Sequence, residues 1–487
     1  MRHRAAIRAA AWIGTTSLVA GLPASAQSQP EQQPQQGQPQ EGAGAVGAVD
    51  ESKWRQQTEE RLRLLEEENA RLRTQVREVA DTQQAVMKDA ESRGLLRVEG
   101  GQPRLTTPDF FDVNKYAAEG DFPGSVRIPG TKTSFQIGGY VQLDAIFDAD
   151  RIGNKDSFVV NTIPTGGEKT GSGSSNFSIR QTRLFLKTQT PTANWGDLVT
   201  YIEIDFFGTD GAEPRIRHAY GQVGDKNQLL AGQTWSAFQD ATVIPATLDF
   251  QGPPGVITNR RPQVRYRREL SEQWYTAVAL EDPNSELTIP AGFTGEESGA
   301  LPDLAGQVRW GPEWGHLQLS GVLRFLQFDP DEGNRESELG YGLNLTGSVK
   351  TIKLDDKHTD ALLFQVAAGS GIARFVNDTN GLGLDGVIEA PGEDLEVLDV
   401  LAGMLAYQHW WTAKLGSTFA YSYVSVDNVE GQAGSDYHSG QYAVANLRYY
   451  PAERVMLGGE VLYGIREDND GDKGDDLRLQ FSVQYRF

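Results

Sequence analysis

The 487-residue chain contains no cysteine, so neither a disulfide framework nor a thiolate metal site is available to it. Apolar material is scarce: hydrophobic residues make up 38% of the composition and mean hydropathy is -0.46, too little for a large soluble core at this length. Beyond the first 26 residues no stretch approaches the roughly 18 apolar residues that a membrane-crossing helix requires. Basic residues are outnumbered 45 to 66, and the formal charge of -21 argues against a nucleic-acid partner. Histidine is rare, and His218, His316, His358, His409 and His438 show no metal-ligand spacing. Neither a nucleophile elbow nor a glycine-rich phosphate loop occurs, so no enzymatic activity and no cofactor are expected.

The segments that remain are distinct. Residues 1–26 read as an export signal, with Arg2, Arg4 and Arg8, an apolar stretch from Ala9 to Ala20, and the small residues Ala24-Ser25-Ala26 for cleavage. Residues 27–49 are a Gln/Pro/Gly-rich spacer without periodicity, expected to be disordered. Over 50–95 the texture changes. Leu62, Leu65, Asn69, Leu72, Val76 and Val79 alternate at spacings of three and four, the a and d positions of a heptad repeat. Arg61 with Glu66 and Glu68 with Arg73 place opposite charges where parallel helices bridge between chains, so a self-associating coiled coil is predicted. The competing reading is an amphipathic helix packed on its own protein.

After a connector at 96–133, the region 134–487 alternates apolar and polar residues with period two. The final eleven residues, LRLQFSVQYRF, do so without a fault: Leu477, Leu479, Phe481, Val483, Tyr485 and Phe487 share one parity, Arg478, Gln480, Ser482, Gln484 and Arg486 the other. Sixteen such segments can be marked out, the second over 175–189 and the last over 475–487. Short turns (Thr192-Ala193, Gly224-Asp225, Leu270-Ser271, Pro451) alternate with long polar stretches at 148–174, 237–260, 283–300, 372–393 and 467–474. That asymmetry is the mark of an outer-membrane barrel, with short periplasmic turns and long outer loops. The predicted fold is therefore all-β: an antiparallel transmembrane barrel of about 16 strands, preceded by the helical coiled coil. The doublet Trp410-Trp411 falls at a short turn and reads as interfacial belt.

A barrel of that size holds water, and inward charges must select among solutes. Arginines cluster in three places: Arg180 and Arg183 in FSIRQTRLFLK, Arg215 and Arg217 in EPRIRHAYGQV, and Arg265 and Arg267 in TNRRPQVRYRREL, where Val264 and Tyr266 hold the apolar parity. Arg324 joins them on parity alone. Guanidinium groups are permanently charged and planar, suited to carboxylates, so such residues around a narrow passage concentrate small anions. The alternative is that they pair with acids such as Asp197, Glu203 and Asp205 and stiffen the barrel. The stretch TWSAFQDATVIPATLDFQGPPG is expected to fold inward as a constriction. In EDNDGDKGDD, Asp468, Asp470 and Asp472 have calcium-loop spacing, but Lys473 stands where glycine is needed and the twelfth-position Glu is missing. A solvated acidic loop that meets lipopolysaccharide through shared divalent cations is the plainer reading.

The stretches GDFPGSVRIPGTKTSFQIGGYVQLDAIFD, FSIRQTRLFLKTQTPTANWGDLVTYIEIDFFG, PRIRHAYGQVGD, LLAGQTWSAFQD and LDFQGPPG resemble the DcaP-like trimeric outer-membrane porins. The resemblance implies a homotrimer of sixteen-stranded barrels in a Gram-negative outer membrane, with the coiled coil in the periplasm. It further implies diffusion of small anions, dicarboxylates among them, past an arginine-lined constriction. The reading of another class is a structural barrel whose coiled coil tethers the envelope and whose pore is incidental; a tether has no need of the arginines.

In proteins that resemble this one, assembly machinery recognises a terminal aromatic strand. Deletion of Phe487 should therefore lower the folded yield in the outer membrane far more than Phe487→Tyr, and equal yields of both variants with the wild type would refute this.

Overall fold

The computed structural model describes residues 51–92, 96–99, 102–105, 119–166, 173–209, 211–299 and 301–487. The expected signal and spacer, 1–26 and 27–49, lie outside the described residues, as does much of the 96–133 connector. The chain divides into two units, residues 1–106 and 107–487. In the first, a 42-residue helix, α1 (Glu51–Ser92), is about 63 Å long at 1.5 Å per residue. Leu62, Leu65, Leu72, Val76 and Val79 are all more than half exposed on it. The same unit holds an antiparallel hairpin of Leu96–Glu99 with Gln102–Leu105.

The second unit is a closed antiparallel barrel. Its wall strands are β1 (Ser134–Asp148), β2 (Ser174–Ser178 continued by Arg183–Pro191), β3 (Asp197–Asp205), β4 (Arg215–Val223), β5 (Asn227–Trp235), β6 (Arg260–Glu269), β7 (Trp274–Glu281) and β8 (Gly295–Ser298 continued by Asp303–Trp310). They are followed by β9 (Gly315–Pro330), β10 (Glu336–Lys353), β11 (Thr359–Ser370), β12 (Asp399–Thr412), β13 (Leu415–Val426), β14 (Tyr437–Ala452), β15 (Val455–Asp468) and β16 (Lys473–Arg486). Each pairs with its sequence neighbour. β16 closes on β1 from Arg478↔Asp148 to Arg486↔Tyr140, and the Phe487 N–H adds a bond to the Gly139 carbonyl at 3.1 Å.

The period-two pattern decides the faces. On β16, Leu477, Leu479, Phe481 and Tyr485 are exposed on the outer wall while Asp476, Arg478, Gln480 and Ser482 are buried inside. Lipid takes the first set, and the interior the second. Six of the nine tryptophans, Trp195, Trp274, Trp310, Trp314, Trp410 and Trp411, gather at the short-turn rim, where an indole belt meets a membrane interface.

Two sequence expectations need correction. The stretch 467–474 is no long loop: β15 runs to Asp468 and β16 starts at Lys473, leaving a four-residue turn closed by Asp468 N–H to the Asp472 carbonyl at 2.9 Å. Glu467 pairs with Lys473 across it, so charges that look like loop polarity are cross-strand partners. The second strand is broken at 179–182, where Thr182 N–H turns back on the Ile179 carbonyl at 3.0 Å. That break is the origin of the parity slip between Arg180 and Arg183.

Three long connections fold into the barrel. They bury Phe158 and Ile163 from 149–166, Phe238, Val243 and Ile257 from 236–259, and Ile372, Phe375 and Val376 from 371–398. Seats for them are built into the wall as inward-facing glycines. A Cβ at Gly458 would lie 2.7 Å from Leu248, and one at Gly464 2.7 Å from Phe158. The 236–259 segment crosses to the far wall, where both oxygens of Glu460 accept backbone N–H groups from Leu248 and Asp249 at 2.8 Å each. Ser422 Oγ accepts from Gly255 N–H at 2.9 Å. Thr258 N–H donates to the Phe375 carbonyl at 2.9 Å, which ties this segment to the 371–398 segment.

Because Gln presents one acceptor and one donor where Glu presents two acceptors, Glu460→Gln strands one of the two buried loop N–H groups, at about 1–3 kcal/mol. The crossing segment should loosen, giving larger and noisier single-channel currents with unchanged β-sheet circular dichroism. Wild-type conductance and noise in the variant would show that the segment does not depend on this carboxylate.

Candidate functional site

The site grows from a fault in the ladder. Between β3 and β4, Glu203 pairs with His218 but Ile204 pairs with Ile216, so Arg217 is an extra residue. A bulge of this kind re-aims side chains, and here Arg215, Arg217 and His218 all turn from the lipid face while Ile216 stays on it, 57% exposed. Arg215 grips Asp205 with two bonds, Nε to Oδ1 at 3.0 Å and Nη2 to Oδ2 at 2.8 Å. Arg217 bridges Glu203 at 2.7 Å and Asp205 at 2.8 Å. Arg183, opposite Tyr140 on β1, stands 4.0 Å from Glu203.

These groups border a cavity of about 460 Å³ with Arg260, Trp235, and the inward segments' Ile244, Phe250, Gln251, Asn377 and Asn380. Phe250 is its hub. The ring lies 5.9, 5.5 and 5.6 Å from the guanidinium carbons of Arg183, Arg215 and Arg217 and stacks on Phe207 at 3.9 Å. An aromatic face attracts cations without neutralising them. Four guanidiniums against the carboxylates of Glu203 and Asp205 leave the cavity wall with a net charge of about +2. The two segments facing it are locked to each other: Gln251 Nε2 donates to Asn377 Oδ1 at 3.1 Å, and Asn377 Nδ2 to the Gln251 carbonyl at 2.7 Å.

Of the arginines singled out in the sequence, Arg183, Arg215 and Arg217 meet at this cavity and the rest do not. Arg180 lies past the strand break, bonded to Asp156 at 3.0 Å and to the Phe206 and Gly208 carbonyls. Arg265 and Arg267 face inward nearer the short-turn rim; Arg265 Nη1 donates to the Trp235 carbonyl at 3.3 Å, and Arg267 pairs with Glu269 at 3.4 Å. Arg324 is buried between Asp303 at 3.1 Å and Asp385 at 2.8 Å, pinning the 371–398 segment to the wall. Parity identifies a side chain's face and not its depth or its partner. Arg260, Trp235 and Phe250 were missed because the first two stand at strand ends and the third in a connection, where alternation has no reach.

The crossing segment is also fixed near its start. Asp240 accepts from His316 at 2.8 Å and pairs with Arg309 at 3.1 Å. Burial opposes its ionisation, but the His316 and Thr242 donors and the Arg309 charge outweigh burial and hold the carboxyl below the ordinary carboxylate range. In the acidic turn, Asp468 faces Arg466 at 2.7 Å and Asp470 Oδ1 accepts the Asp472 N–H at 3.0 Å. Among the described residues no group of three or more acidic or histidine side chains is arranged to hold a metal ion.

A closed sixteen-stranded barrel with an apolar outside, a polar inside and a segment drawn across its lumen is a porin of the outer membrane. More narrowly, the chain belongs to the DcaP outer membrane protein family, whose model matches residues 117–487. Among solved structures it is similar to the outer membrane channel DcaP of Acinetobacter baumannii, with 23% identity over 73% of this chain and 97% of that one and a TM-score of 0.63. It also resembles an anion-selective porin from Comamonas acidovorans, with 10% identity over 73% of this chain and all of that one and a TM-score of 0.50. No curated protein matches the sequence.

If Phe250 holds three guanidiniums at the cavity edge, Phe250→Ala should raise single-channel conductance while lowering anion preference, since the freed Arg183 closes its 4.0 Å gap to Glu203. Conductance and reversal potential both equal to wild type would show the ring to be a bystander.

Proposed function

We propose that this porin is a diffusion channel that favours small anions, dicarboxylates among them, with Arg183, Arg215, Arg217 and Arg260 as the selecting wall. The observation that carries the reading is the excess of guanidinium over carboxylate at a cavity walled on its other side by the crossing segment. Closure of one anion site by acids is a matter of number, and here two carboxylates serve four cations. The Comamonas barrel, described as anion-selective, shares the architecture. Arg265 extends the positive wall toward the short-turn rim, which we assign to the periplasm, while Arg267 is paired with Glu269 outside the selecting wall. Arg180 and Arg324 serve as scaffold.

The chain is further proposed to act as a homotrimer anchored in lipid and lipopolysaccharide, with acidic outer turns sharing divalent cations with the latter. Leu62, Leu65, Asn69, Leu72, Val76 and Val79 are exposed among the described residues; a periplasmic coiled coil between copies would cover them. Pore and tether are then not exclusive.

The test is the reversal potential of single channels in a potassium chloride gradient. Each guanidinium at about 8 Å and an effective dielectric near 20 is worth on the order of 2 kcal/mol to a monovalent anion before screening. Wild type should favour chloride, Arg183→Gln with Arg217→Gln should lose most of that preference, and Arg265→Gln with Arg267→Gln should keep more than half. A wild-type channel indifferent to charge would overturn the reading and leave the tether first.

A further inference from the structure

Arginines in this barrel are sorted by what holds them. Arg215 is chelated by Asp205, Arg217 shared by Glu203 and Asp205, Arg261 and Arg324 clamped by Asp303. Arg260 is different. Among the described residues no carboxylate pairs with it and no side-chain hydrogen bond engages its guanidinium, although it borders the cavity. What it does touch is the face of Trp235, its cross-strand partner on β5, at 4.7 Å from the ring centroid. An indole beneath a guanidinium orients the plane and leaves every N–H free.

Resting on the anion-channel reading above, we propose that Arg260 on its Trp235 platform is the seat of a permeating carboxylate, and that the channel prefers planar carboxylates to spherical anions of equal charge. Arg215 and Arg217 supply potential while their donors are taken by Glu203 and Asp205. The amides across the cavity are already engaged: Asn377 and Gln251 with one another between the two inward segments, and Asn380 Nδ2 with the Arg374 carbonyl at 2.7 Å. Recognition is therefore one-sided. One carboxylate takes the planar fork of Arg260 by two parallel bonds, and a second carboxylate on the same solute is drawn to Arg183, whose approach to Glu203 is a loose 4.0 Å. From that seat the path continues along β6 to Arg265, whose Nη1 rests on the carbonyl of the same Trp235.

The alternative is that Arg260 merely adds charge, and Arg260→Lys separates the two, because it keeps the charge and removes the fork. Wild type, R260K, R260Q and the off-cavity control R267K would be recorded in bilayers, with succinate and acetate titrated against chloride current. R260K should keep the wild-type reversal potential but raise the half-blocking succinate concentration about tenfold, the loss expected for one charge-assisted bidentate contact. R267K should block as wild type does, and R260Q should shift both readouts. Trp235→Leu, which leaves the charge but removes the platform, should weaken block without moving the reversal potential, and it serves if R260K does not insert. Unchanged block in R260K or in Trp235→Leu overturns the seat while leaving anion preference intact. A wild-type channel without anion preference overturns the reading beneath it.

Discussion

Everything in the barrel follows from the rule that a backbone N–H or C=O in hydrocarbon must find a partner, because no water is there to take its place. β16 meets β1 through the pairings from Arg478 to Arg486, and no edge is left in the wall. Once closed, the sheet gives every strand one lipid face and one lumen face. Apolar side chains such as Leu479 and Phe481 are thus removed from the interior. A domain that turns its hydrophobic residues outward must build its interior from something else.

The interior is built from its own connections. Loops carrying Phe158, Phe238 and Ile372 enter the lumen and bury these side chains against glycine seats in the wall. Carboxylates and hydroxyls of the wall, those of Glu460 and Ser422, take backbone N–H groups that the loops bring in. The abundance of glycine in the composition, 54 residues, acquires a second reason beyond turns. The filling is lopsided, and the opening that remains runs beside the arginine-bearing strands.

On those strands acids and aromatic rings divide the cations between them. A carboxylate fixes a guanidinium and cancels its charge; an aromatic face fixes it and leaves the charge exposed. Arg260 is held in the second manner alone, and Arg215, Arg217 and Arg324 in both. The family assignment rests on residues 117–487, the part of the chain that carries all of these arginines.

Strand number, closure and the two faces of the wall were legible in the sequence because period-two alternation is enforced residue by residue by lipid on one side. The heptad in α1 was legible for a similar reason, its spacing being the helix period. Inward arginines at 183, 215 and 217 could be named, since cations on the polar parity have only the lumen to face. Alternation does not encode which arginines share a cavity. The bulge at Arg217, the break at 179–182, the approach of Phe250 from 33 positions beyond Arg217 and the pairing of Arg324 with Asp385 are set by contacts between segments remote in the chain. Distance, burial and partner are properties of the closed barrel, and only the tertiary structure decided them.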